Sequence, residues 1–131
     1  MHNDFRSLVA SGRAEDKLIK NGQGFAPKAA NMRKLEYNCD LEKMAAKYAS
    51  GCVYKHSSTA SRMLLREEAG ENLFTVTVPD AEFNKAAEWA TRAWFRELKD
   101  NGVGKDNILT RQLLDRSKAE ALKIGGLDTT L

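Results

Sequence analysis

Apolar side chains recur at helical spacing in several stretches of this chain and follow a strand-like pattern in only one. Phe5, Leu8 and Val9 form a stripe that predicts a first helix from about Asn3 to Ser11, with Asn3 or Asp4 as its cap. Leu41, Met44, Ala45, Tyr48 and Ala49 predict a second over Leu41–Ser50, capped by Asp40 or Asn38 and closed by Ser50-Gly51. The longest stripe is Phe83, Ala86, Ala87, Ala90, Trp94 and Leu98, which predicts a helix capped by Asp80 and ended by Gly102 and Gly104. Leu109, Leu113 and Leu122 predict a last helix from about Asn107 to Lys123, before Gly125-Gly126. Lys28–Leu35 reads as a weak short helix or turn, and Arg62–Glu68 as one or two helical turns. Leu73–Val78 is β-branched and aromatic and stops at Pro79, so it is the one convincing strand. Ser11–Pro27 lacks periodicity and holds Asn21-Gly22, Gly24 and Pro27, which makes it a loop, and a loop of that length in a compact domain is expected to be packed or functional. Val53–Arg62 is a second, polar loop.

These elements fit in one domain. The chain has 131 residues, 42% apolar and 30% charged, which is the composition of a folded globular chain rather than a disordered one. Its 21 Lys+Arg and 18 Asp+Glu are interspersed, so the net charge of +3 provides no electrostatic footprint for nucleic acid. No apolar run approaches the roughly 18 residues that would span a bilayer, and Met1 is followed at once by polar residues, without the apolar stretch of a secretion signal. Cys39 and Cys52 flank opposite ends of the second predicted helix. At 1.5 Å per residue they lie about 15–20 Å apart, beyond the reach of a disulfide. They are therefore expected not to be bonded to each other.

Candidate chemistry is sparse. Histidine occurs only at His2 and His56. His56 lies in the polar loop, where it is either a solvent-facing residue or part of a site. Glu71 precedes the predicted strand and is either a turn glutamate or a site residue. Glu97 is more informative. Three residues after Trp94 and seven after Ala90, it falls on the edge of the apolar stripe, where a carboxylate is costly unless paired, ligating or able to reach water. His56, Glu71 and Glu97 come from three elements that can line one cleft, as metal ligands or as an acid–base set. HExxH, GxSxG, GxGxxG and P-loop motifs are absent.

In order, several segments resemble one family. His2-Asn3 with Arg6 resembles the HNxxR opening of the CAP superfamily (cysteine-rich secretory proteins, antigen 5, pathogenesis-related 1). Ala30 to Asn38, followed by Leu41, Ala45 and Ala49, is similar to its AxxMxxLxWxxxLxxxAxxxA segment. His56-Ser57, Gly70-Glu71-Asn72-Leu73 and Trp94-Phe95-Arg96-Glu97 resemble its HS, GENL and WxxE signatures. The likeness runs from His2 to about Leu114, leaves 115–131 as a divergent tail, and is strongest to nematode secreted venom allergen-like and activation-associated proteins.

The resemblance implies an α+β fold, here mostly helical: a partial α-β-α sandwich lacking the last strands, with residues 1–131 forming a single, incomplete domain. It implies a cleft of two His and two Glu, matched here by His56, Glu71 and Glu97, that holds a divalent metal such as zinc in some members. The family's second cleft histidine lies in a GHYTQ segment, whereas Arg116–Leu122 stands there in this chain and no histidine follows His56. Metal binding is therefore expected to be weak, and the HNxxR opening to be structural rather than a source of a replacement ligand. In the family the cysteine before HS bonds a later cysteine, so Cys52 is expected to lack that partner. The implied function is extracellular and non-enzymatic: binding of a sterol or other lipid, or of a host protein. The alternative is a degenerate metal-dependent or acid–base hydrolase using His56, Glu71 and Glu97. With one strand the helices are expected to pack around Trp89, Trp94, Phe83, Tyr48 and Met44, leaving an apolar face that favours self-association.

Overall fold

The computed structural model describes residues 1–19, 24–106, 108 and 110–112. In chain order the elements are α1 (His2–Ala10), α2 (Cys39–Ala49), a short 3-10 turn (Thr59–Arg62), β1 (Met63–Leu64), β2 (Glu67–Glu68) and α3 (Phe83–Asp100). The architecture is α+β and mostly helical, as the family resemblance implies. The predicted last helix falls largely outside the described residues.

α1 lies against α3 through two stacked ring pairs. His2 stacks on Trp94 with centroids 6.4 Å apart, and Phe5 stacks on Phe95 at 4.1 Å. The polar residues of the opening tie α1 to the chain that follows. The Asn3 side chain accepts from the Leu35 amide (2.8 Å) and donates to the Leu35 carbonyl (3.0 Å), and Arg6 donates twice to the Arg33 carbonyl. This structural role matches the expectation for His2, Asn3 and Arg6. It also corrects the weak helix expected at Lys28–Leu35. That segment is irregular with a bend at Ala30, because the amide and carbonyl of Leu35 and the carbonyl of Arg33 are bonded to α1 side chains instead of to a helical turn.

α2 begins where Asn38 caps it, accepting from the amides of Asp40 and Leu41. No residue of α2 is buried. α3 starts at Phe83 with Glu82 as its cap, not Asp80, whose backbone is left-handed at φ 56° and so cannot lead into a helix. It ends at Asn101 and Gly102, with Gly102 and Gly104 both at positive φ, as expected.

Two further expectations are corrected. Arg62 ends the 3-10 turn, but Met63–Glu68 is not helical. It is a two-residue hairpin in which Met63 pairs with Glu68 and Leu64 with Glu67, turned by Leu65 and Arg66 at φ 50° and 71°. Both turn residues are left-handed, as a tight hairpin whose twist matches its strands requires. Conversely, Leu73–Val78 has strand composition but joins no ladder among the described residues; β1 and β2 form the one sheet there. A strand is completed by a neighbour's hydrogen bonds, and here the Leu73 carbonyl instead accepts from the Trp94 indole at 2.9 Å.

The long loop after α1 is packed. Ala14, Asp16 and Ala26 are buried, at 1%, 1% and 3% exposure. Asp16 carries the arrangement. One carboxylate oxygen accepts from Leu18, and the other accepts from the amides of Val103 and Gly104 just past α3, each at 3.0 Å. A side chain at Gly102 would collide with that carboxylate and with the Leu18 amide. The aromatic core expected around Phe83 and Trp89 is not what forms. Phe83 is 92% exposed and Trp89 41%, while the buried apolar residues among those described are Ala14, Ala26 and Ala90.

Candidate functional site

The segment after α2 is turned back by Gly51 and Cys52, the latter at φ 53°, and the Tyr48 hydroxyl of α2 donates to the carbonyl of Lys55. This fixes the backbone beside His56. Ser58 then caps the 3-10 turn, accepting from the Ser61 amide, and that turn leads into the hairpin that returns the chain to Glu71. The route brings together side chains 15 residues apart. His56 Nδ1 lies 2.8 Å from Glu71 Oε1, and the Ser57 amide donates to the same oxygen at 2.8 Å. Both side chains are mostly enclosed, at 23% and 15% exposure.

The electrostatics of the pair follow from these bonds. Burial alone would push the Glu71 carboxyl up, but the bonds from Ser57, and after them the bond and charge of His56, outweigh it and hold the carboxyl below its ordinary value. Ionised, Glu71 accepts the Nδ1 proton, which fixes the imidazole tautomer and makes Nε2 the acceptor nitrogen.

Arg62 adds a neighbour that its place in a polar loop does not reveal. Its guanidinium lies 3.9 Å from Glu71 Oε1 and donates to Glu68 and to the carbonyls of Ser57 and Ala69.

Glu97 comes from the third element. It is half-buried on α3, one turn beyond Trp94, and burial pushes its carboxyl up to about 7. Its position beside the apolar stripe was legible from periodicity. Among the described residues, however, no group of three or more His, Cys, Asp or Glu side chains is placed to hold a metal ion. The structure thus joins His56 to Glu71 but does not assemble them with Glu97 into a ligand set. The described donors fall short of the three protein ligands that a catalytic zinc site requires.

A second concave feature lies between α1 and α3. A cavity of about 270 Å³ is lined by the apolar Phe5, Leu8, Ala14 and Phe95 and by the charged Arg13, Glu15, Arg92, Arg96 and Lys99. Arg92, Arg96 and Lys99 are paired with Glu88, Asp100 and Glu15. Arg13 donates to the Ser11 hydroxyl and forms no ion pair among the described residues. Both cysteines are exposed thiols, as the helix between them predicts.

Comparison with known proteins agrees with the motif pattern. The model of the cysteine-rich secretory protein (CAP) family matches residues 1–122. Ancylostoma secreted protein of Ancylostoma caninum is 43% identical over 116 residues, covering 88% of this chain and 26% of that protein. Salivary antigen-5 of Triatoma infestans is 33% identical over 102 residues, covering 75% of this chain and 42% of the relative. The chain therefore spans less than half the length of these curated relatives. A crystal structure of NaASP2 with Zn2+ superposes with a TM-score of 0.77 at 42% identity, covering 90% of this chain and 58% of that one.

Proposed function

The chain belongs to the cysteine-rich secretory protein (CAP) family, and on that premise we propose that it is a non-enzymatic, extracellular ligand-binding module for an anionic lipid. The observation that carries this reading is the cavity between α1 and α3. Its volume is near the lower end for ligand pockets, enough for part of an acyl chain. Its lining includes in Arg13 a cation with no ion-pair partner among the described residues, suited to a carboxylate head group. Relatives named as secreted, salivary and venom proteins support an extracellular location. Titrating a long-chain fatty acid into the protein tests the reading. Binding is expected, and Arg13→Gln is expected to weaken it about fivefold, roughly 1 kcal/mol. No binding, or binding indifferent to Arg13, refutes it.

The His56–Glu71 pair is the module's polar site. It offers a divalent cation one imidazole and one carboxylate, and we expect zinc to bind weakly there. Calorimetry at neutral pH should show weaker affinity than for NaASP2, and His56→Ala should abolish it.

One observation favours the hydrolase alternative: Glu71 and Glu97 are shifted in opposite directions, the pattern of a base and an acid working at one pH. Ester hydrolysis lost in both His56→Ala and Glu97→Gln would establish that reading over the binding one.

A further inference from the structure

We propose that Arg62 is the positioning residue of the His56–Glu71 pair: its guanidinium stands in for the sheet that is too short to hold the two segments together. β1 and β2 pair over only two residues each, and the ladder stops at Met63–Glu68. The next pair in register is Arg62 with Ala69. There the backbone completes half of the ladder, with the Ala69 amide donating to the Arg62 carbonyl at 2.9 Å. The other half is made by a side chain. Arg62 Nε donates to the Ala69 carbonyl at 3.2 Å, where a strand would have used its backbone amide. The remaining nitrogens reach outward. Nη1 donates to the carbonyl of Ser57 and lies 3.3 Å from its hydroxyl, and Nη2 donates to Glu68.

One planar group thus grips the residue after His56 and the residue two before Glu71. Arg62 is 19% exposed, so its bonds to Ser57 and Ala69 are partly shielded from competing water, while its bond to Glu68 is exposed. Its approach to Glu71 Oε1, at 3.9 Å, is too long for a hydrogen bond. Arg62 therefore acts on the carboxylate through backbone placement and field rather than by occupying the oxygen that accepts from His56 and Ser57. Lysine cannot replace it, because an ammonium has the charge without the fork that spans separate carbonyls.

The inference rests on the reading of the pair as the polar site, but its test needs no ligand, so the two can fail separately. In protein with 15N-labelled histidine, His2 and His56 are the two signals. Neutral His56 is expected in the Nδ1–H form in the unaltered chain. In both Arg62→Gln and Arg62→Lys it is expected to shift to the Nε2–H form that dominates in free imidazole, while the His2 signal stays unchanged. Retention of the Nδ1–H form in both variants overturns the proposal, and retention in Arg62→Lys alone reduces Arg62 to a charge. If neither variant folds, the unaltered protein decides. Separate Nη protons of a guanidinium locked in place at low temperature support the clamp, and one averaged signal refutes it.

Discussion

Glu71 and Glu97 both sit in partly enclosed surroundings, yet one holds its proton less tightly than an ordinary glutamate and the other more tightly. The difference is hydrogen bonding: Ser57 and His56 donate to Glu71, whereas burial dominates at Glu97. The two therefore contribute to stability with opposite sign. Because the Glu97 carboxyl is raised in the folded chain, its contribution is fully present below about 4.5 and lost as pH rises through about 7. Glu71 is depressed, so its contribution is present above 4.5 and lost as pH falls through its lower folded value. Glu97→Gln, which mimics the protonated form, is expected to match the unaltered chain at pH 4 and to be more stable by about 1 kcal/mol at pH 8, allowing for solvent screening. Urea midpoints at the two values check this, and equal differences at both would refute it. Of these residues, Glu97 was legible from helical periodicity. His56 and Glu71 were legible only through motif likeness, because a separation of 15 residues leaves no periodic signal. Arg62 and Asp16 were not legible, because their partners are mainly backbone carbonyls and amides, which every residue has.

Helices were the legible elements, and the places where non-helical chain replaced them were not. α1, α2 and α3 bury or half-bury one stripe each or carry their own cap, so local pattern locates them. Leu73–Val78 has a strand's composition without a strand's neighbour, and β-propensity measures fit to a sheet rather than an intrinsic state. At Lys28–Leu35, bonds from Asn3 and Arg6 override a weak helical pattern. The hairpin was missed because its turn residues, Leu65 and Arg66, are not the Asn-Gly type that advertises left-handed backbone. That mismatch has a measurable consequence. Leu65→Asn with Arg66→Gly relieves steric cost at both positions, and Leu65, 90% exposed, gives up no burial. The double variant is expected to be more stable by about 1 kcal/mol, raising the melting temperature by about 3 °C. An unchanged or lower melting temperature would count against a left-handed turn here.

At the scale of the molecule, the described residues are held by small residues and polar ties rather than by a large apolar core. The buried apolar residues described are alanines, while Leu35, Tyr37 and Leu41 are 50%, 78% and 40% exposed and no residue of α2 is buried among the described residues. Self-association is therefore expected to be concentration-dependent in reductant by sedimentation, and to weaken on Leu41→Lys. Without reductant, exposed Cys39 and Cys52 should add covalent dimers, and denatured, unreduced monomer should titrate two thiols. No reactive thiol, with a mass lower by two hydrogens, would mean that the cysteines are joined. The Asp16 tie matters in time as well as in strength. It closes a span of 87 residues onto Val103, so the chain must bring distant segments together before it can form. An interaction that forms after the transition state leaves the folding rate alone and controls how fast the native state opens. Asp16→Ala, which strands the amides of Val103 and Gly104, is expected to cost about 2 kcal/mol. Nearly all of that should appear as unfolding about thirtyfold faster, with refolding hardly changed. Stopped-flow rates that instead show slowed folding would place the closure early. With the expected result, one buried carboxylate serves as the latch that sets the lifetime of the folded chain.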